Sequence, residues 1–194
     1  PRPRVPPAKP RPITHSQLDA VLALPLRPAT RTKILLAAYA GLRIHEIAKL
    51  KGQDIDTAGG TLTITGKGGR TDLLPAHPII LTQAANYPRK GHWFPSPTRP
   101  GQHVTAQTVG TVIARALHRA GIDATAHQLR HFFATSLLEA GVDSRIVQTL
   151  MRHASLATTG RYLGVTLTQQ RTALDSLTIV ASATLDTNPA PGPK

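Results

Sequence analysis

Hydrophobic positions recur at helical spacing along most of this chain and change to alternation over one short stretch. Thr14 and Gln17 are spaced as a capping box, which predicts a short helix that Pro25 ends. From Thr30 the apolar residues Ile34, Leu35, Leu36 and Tyr39 predict a helix interrupted at Gly41, and Ile44, Ile47 and Leu50 predict a second one directly after it. Between Gln53 and Ala76 the period drops to two. Asp54-Ile55-Asp56, Thr61–Thr65 and Thr71–Leu74 alternate, with Gly59-Gly60 and Gly68-Gly69 between them, which predicts three antiparallel strands. Helical spacing then returns. One helix opens at Thr105 and stops at Gly121, and a second, with Thr125 and Gln128 as its capping box, runs to Glu139. Further helices are expected over Ser144–Met151, around Leu156–Leu163, and over Leu167–Val180. The predicted fold is mostly α with a small three-stranded antiparallel β-sheet.

The ends carry no such periodicity. Residues 1–12 hold six prolines together with Arg2, Arg4, Lys9 and Arg11, an extended basic arm that cannot fold alone. Residues 185–194 are Pro-rich and read as a flexible tail. The expected folded unit is therefore 13–184. The arm reads as a linker from an upstream domain that this chain lacks.

Composition narrows the function. Twenty-three Lys and Arg against ten Asp and Glu leave a net charge of +13, which points to a polyanionic partner, nucleic acid above all. The acidic residues are scattered, which is unfavourable for two-metal phosphoryl chemistry. With no cysteine, thiolate metal sites, iron–sulfur clusters, disulfides and cysteine nucleophiles are all excluded. No apolar run reaches the ~20 residues that span a bilayer, and the expected location is the cytoplasm; composition alone does not choose DNA over RNA.

Four segments carry candidate chemistry: Gly41-Leu42-Arg43, with Glu46 one turn on; Lys67 and Arg70 on a Gly-rich hairpin; His127-Gln128-Leu129-Arg130-His131; and Arg152-His153 followed by Tyr162. His127 and His131 share a helix face at metal-ligand spacing. Gln128, however, stands where a zinc protease has its glutamate, and no third ligand is evident. A metal site is the minority reading of this pair, and no other cofactor is expected.

Taken in order, Arg43, Lys67, His127, Arg130, His153 and Tyr162 resemble the catalytic set of the tyrosine recombinase (phage integrase) family. The likeness runs from about Thr14 to Leu163 and includes Gly-Leu-Arg-x-x-Glu, Phe94-Pro95-Ser96, the His-x-Leu-Arg-His-x-Phe-Ala-Thr stretch and Thr-x-x-Tyr ending at Tyr162. One departure stands out. Leu150-Met151-Arg152-His153 has arginine where the family has Leu-Gly-His.

The resemblance implies that Tyr162 attacks a DNA phosphodiester to give a 3′-phosphotyrosyl bond and a free 5′-hydroxyl, without ATP or metal. Arg43 and Arg130 would hold the non-bridging oxygens, His127 would take the phenol proton, His153 would donate to phosphate, and Lys67 would protonate the leaving oxygen. Glu46 has two readings, a carboxylate that orients Arg43 or an ordinary surface pair. His131 reads as a supporting residue. Arg2, Arg4, Lys9, Arg11, Arg70 and Arg152 are the expected double-stranded DNA contacts. The resemblance also implies a homo-tetramer in the synaptic complex, whereas the isolated domain is expected to be monomeric. Two other functions fit the same residues, a type IB topoisomerase and a DNA-binding module that has lost catalysis.

Overall fold

A computed structural model describes residues 12–66, 69, 71–152 and 165–184. Its centre is a helix whose sequence is apolar nearly all round. α2 (Pro28–Tyr39) buries every residue from Arg31 to Tyr39, and α1 (His15–Ala23), α3 (Ile44–Lys49), α4 (Pro78–Ala84), α5 (Ala106–Arg119) and α6 (Ala126–Glu139) complete the helical layer before α7 (Ser144–Met151) and α8 (Leu167–Asp175). A helix without a polar face has to lie inside, and α2 packs against α3, α4, α5 and α6. Its two buried cations are accommodated locally. Arg31 donates to the Leu22 carbonyl at 2.7 Å, and the Lys33 ammonium lies 3.9 Å from the centre of the Phe94 ring.

The expected capping boxes form. Thr14 and Gln17 bond each other's backbone at 2.9 and 3.2 Å at the start of α1, and Thr125 with Gln128 opens α6. The sheet also follows its alternation. β1 (Ile55–Asp56), β2 (Thr61–Thr65) and β3 (Thr71–Pro75) are antiparallel in that order, with Leu62 opposite Leu74 and Ile64 opposite Asp72. Leu62, Ile64 and Leu74 face the core, while Leu73 on the other face is half exposed.

Two segments differ from the sequence reading. Helix α4 was not anticipated. Its cap is His77, whose Nδ1 accepts from the Ile79 N–H at 3.2 Å, and imidazole is outside the usual set of capping side chains. The last helix is shorter than expected and ends at Asp175. The three-residue spacing of Leu174, Leu177, Val180 and Ala183 looks helical, and all four are buried. Past Asp175, however, the backbone finds other partners. The Val180 N–H donates to the Tyr39 hydroxyl at 3.0 Å and the Ser182 N–H to Asp19 at 2.8 Å, while Arg31 reaches the Ser182 carbonyl. The C-terminal segment thus packs on α1 and α2 of its own domain. No helix among the described residues is long and apolar enough to cross a membrane. The expected arm, tail and helix around Leu156–Leu163 lie outside the described residues.

Candidate active site

The site grows from one glycine. Gly41 has φ +58°, and a Cβ there would sit 2.6 Å from a ring carbon of Phe133, so only glycine fits this turn between α2 and α3. The turn puts Arg43 at the head of α3 and aims the Gly41 carbonyl at two guanidiniums. Arg130, from the buried face of α6, donates to that carbonyl and to the carbonyl of Met151. Arg152 donates to the same Gly41 oxygen at 3.2 Å.

Glu46 ties these groups together. It is 4 % exposed, which rules out the surface-pair reading. One carboxylate oxygen accepts from the Arg43 guanidinium at 3.2 Å; the other accepts from the Arg43 backbone N–H at 2.7 Å and from Arg152 at 2.8 Å. Burial pushes the Glu46 carboxyl up. The charges of Arg152, Arg43 and Arg130, with the Arg43 N–H, outweigh that and hold it below its ordinary range. Three guanidiniums share one carboxylate, so the cluster carries surplus positive charge. Arg130 shows the strain: burial first, then the charges of Arg43 and Arg152, pull it down to about 9. Such a surplus of guanidinium charge is suited to an anion, and the side chain of Arg43, 34 % exposed, keeps donors open to solvent.

On α6, His127 lies one turn before Arg130 and His131 directly after it; both are exposed and face each other, Nε2 to Nε2 at 2.8 Å. Burial, then the charges of His127 and Arg130, lower the pKa of His131. Among the described residues no three His, Asp or Glu side chains are grouped to hold a metal ion.

Arg43, Arg130 and Arg152 therefore meet around Glu46, with His127 on the same helix as Arg130. Lys67, Arg70, His153, Tyr162, Arg2, Arg4, Lys9 and Arg11 lie outside the described residues. Sequence reasoning missed that the Arg152 side chain turns inward and that the Gly41 carbonyl is a shared acceptor. The signal was present in both cases, as an arginine in a glycine's place and a glycine before Arg43.

Comparison with known proteins agrees with this geometry. Residues 12–168 match the phage integrase family. The chain is 34 % identical over 182 residues to tyrosine recombinase XerA of Pyrococcus furiosus, covering 89 % of this chain and 64 % of that protein. Among solved structures it is similar to the integrase of mycobacterium phage Brujita, with TM-score 0.82, 45 % identity, and coverage of 91 % of this chain and 61 % of that one. It is also similar to the XerH site-specific recombinase bound to difH substrate, with TM-score 0.58, 26 % identity, and coverage of 84 % and 53 %. The mostly helical domain with its three-stranded sheet is thus a tyrosine recombinase catalytic fold, and the chain belongs to the phage integrase family.

Proposed function

We propose that this chain is the catalytic domain, over residues 13–184, of a site-specific recombinase, most readily the integrase of a phage or other mobile element. The observation that carries the reading is the arginine cluster on Glu46, in a chain of this family, with Arg43 still open to solvent. A phosphorane gathers negative charge on its non-bridging oxygens, and forked guanidinium donors fixed in advance are suited to it. Tyr162 attacks phosphorus, and the bond to the 5′-oxygen breaks. His127 accepts the phenol proton, Lys67 supplies a proton to the leaving oxygen, and His153 donates to phosphate. The energy of the broken ester is kept in the phosphotyrosyl bond, so rejoining needs no further cofactor. The basic arm, Arg2, Arg4, Lys9 and Arg11, and Arg70 bind the duplex backbone. Four copies act in the synapse, and the domain alone is monomeric, in keeping with a C-terminal segment that packs on its own α1 and α2.

The test uses nicked duplexes tiled across the DNA that flanks the encoding gene, in EDTA. Wild type should trap a covalent protein–DNA adduct, and Tyr162→Phe should trap none. Lys67→Ala should slow adduct formation roughly 10²–10⁴-fold. Replacing the bridging 5′-oxygen with sulfur should restore that variant, since a thiolate leaves without a proton, and should do little for Arg130→Ala. No adduct from wild type on any duplex would leave a DNA-binding module. Relaxation of supercoiled DNA without exchange between molecules would make it a topoisomerase.

A further inference from the structure

Arg152 is the one described non-glycine residue with positive φ, 51°, with ψ 48°. A left-handed conformation is unfavourable for any residue with a Cβ, so it persists only where other contacts hold it. Here the side chain supplies them. Its guanidinium is 6 % exposed and donates to Leu150 at 3.0 Å, to Gly41 at 3.2 Å and to Glu46 at 2.8 Å. In return, the Arg152 carbonyl accepts from the Arg43 guanidinium at 3.2 Å. Arg152 thus reaches Arg43 twice, through its own backbone and through Glu46. A phosphate-binding arginine would need donors facing solvent. These face inward.

We infer that Arg152 is a positioning residue: it clamps Glu46 and Gly41 and so sets where Arg43 presents its donors, instead of meeting DNA itself. This rests on the strand-transfer reading above for what Arg43 then does. The device replaces a residue type with a different physics. Glycine reaches the left-handed turn by backbone freedom alone, whereas arginine reaches it by buying three side-chain bonds with one buried charge. Glu46 is then the group that reports the clamp. It is faced by Arg43 at the head of α3, by Arg130 from α6 and by Arg152 after α7. At its back lies a cavity of about 270 Å³ lined by Lys49, Lys51, Asp54, His92 and His103. Removing Arg152 takes away the largest charge that keeps Glu46 ionised.

The experiment compares wild type, Arg152→Gly, Glu46→Gln and the double variant, measuring single-turnover adduct formation on the nicked duplexes from pH 5 to 8 and the salt dependence of duplex binding. Arg152→Gly keeps the turn and loses the clamp. Its cleavage should fall roughly 10- to 100-fold, the scale of a misplaced catalytic group. It should also gain an acid limb as Glu46 protonates, and the double variant should lack that limb and be no slower than the slower single. The slope of log K against log salt should match wild type. A slope reduced by ~0.9, one phosphate contact, with cleavage otherwise unchanged in pH profile, would overturn the clamp and make Arg152 a DNA contact. So would wild-type cleavage by Arg152→Gly. If Arg152→Gly does not fold, Arg152→Gln reads the same limb and slope, because it keeps a donor and removes the charge. If wild type forms no adduct at all, the strand-transfer reading falls. The clamp is then judged by the salt slope and by the ¹³C titration of the Glu46 carboxyl, which should move up in Arg152→Gly, an unmoved carboxyl counting against it.

Discussion

The arginine cluster and the histidine pair, which share α6, hold their side chains in opposite ways. At the Gly41 end, three guanidiniums are held around a buried carboxylate, and each is bonded to it, to a backbone carbonyl, or to both. On the exposed side of α6, flanking Arg130 in the chain, His127 and His131 are exposed and bonded to each other. Burial is what separates them. In the first region an unpaired group would lose its hydration with nothing in return, so geometry is over-determined and side chains are fixed in advance. In the second, water compensates any loss, and the imidazoles stay in contact with solvent. Phosphate binding needs the first kind of site and proton transfer needs the second. The contrast makes the two regions separable by mutation. The buried end should fail in stability and catalysis together, and the exposed end in catalysis alone.

The largest expected effect tests the exposed end. His127→Ala should slow adduct formation by roughly 10²–10⁴-fold, the usual range for general acid–base groups. Its unfolding free energy in urea should stay within about 0.5 kcal/mol of wild type, as for other surface changes. A destabilisation of several kcal/mol would show that the imidazole pair is structural and would erase the contrast.

Glu46→Ala tests the buried end. It leaves Arg152, whose side chain is 6 % exposed, without the carboxylate it is hydrogen-bonded to, and with Asp72 as a remaining electrostatic partner. Breaking a buried pair from one side costs about 3–5 kcal/mol. Adding Arg152→Gly should recover part of that, because the stranded charge is then gone. A Glu46→Ala protein as stable as wild type in urea would mean that water reaches the cluster. Gly41→Ala should come next, at roughly 2–4 kcal/mol from a left-handed backbone and overpacking against Phe133.

The same contrast accounts for what could be read in the sequence. Helices with conventional caps, at Thr14, Thr105 and Thr125, and the alternating strands were legible because each signal is local. Helix α4 was not, since a histidine caps it. Nor was the end of α8, where Tyr39 and Asp19, far away in sequence, take over the backbone N–H groups. In the site, Arg43 and Arg130 were legible as a motif and their meeting is observed. The direction of the Arg152 side chain was not, because it depends on Glu46 and Gly41, more than a hundred residues earlier in the chain.

The smallest effect sharpens the comparison through pH. Burial, His127 and Arg130 all disfavour the protonated form of His131, so the folded protein keeps this imidazole neutral to lower pH than the unfolded chain does. Between the lowered folded value and the ordinary histidine range of ~6.5, unfolding therefore takes up protons, and stability rises with pH. Acidifying from pH 7.5 towards 5 should lower the Tm, and the penalty should level off once both states are protonated. Glu46 acts in the same direction but in the carboxylate range, and buried His77, whose pKa burial also lowers, contributes a parallel slope. The difference between wild type and His131→Gln isolates the pair. His131→Gln should lose Tm less steeply over this window. In His127→Ala, where the neighbouring charge is gone and the burial remains, the His131 slope should shrink without vanishing. Identical slopes in all three proteins would mean that its surroundings do not hold His131 neutral, and that this imidazole does not sense Arg130 at all.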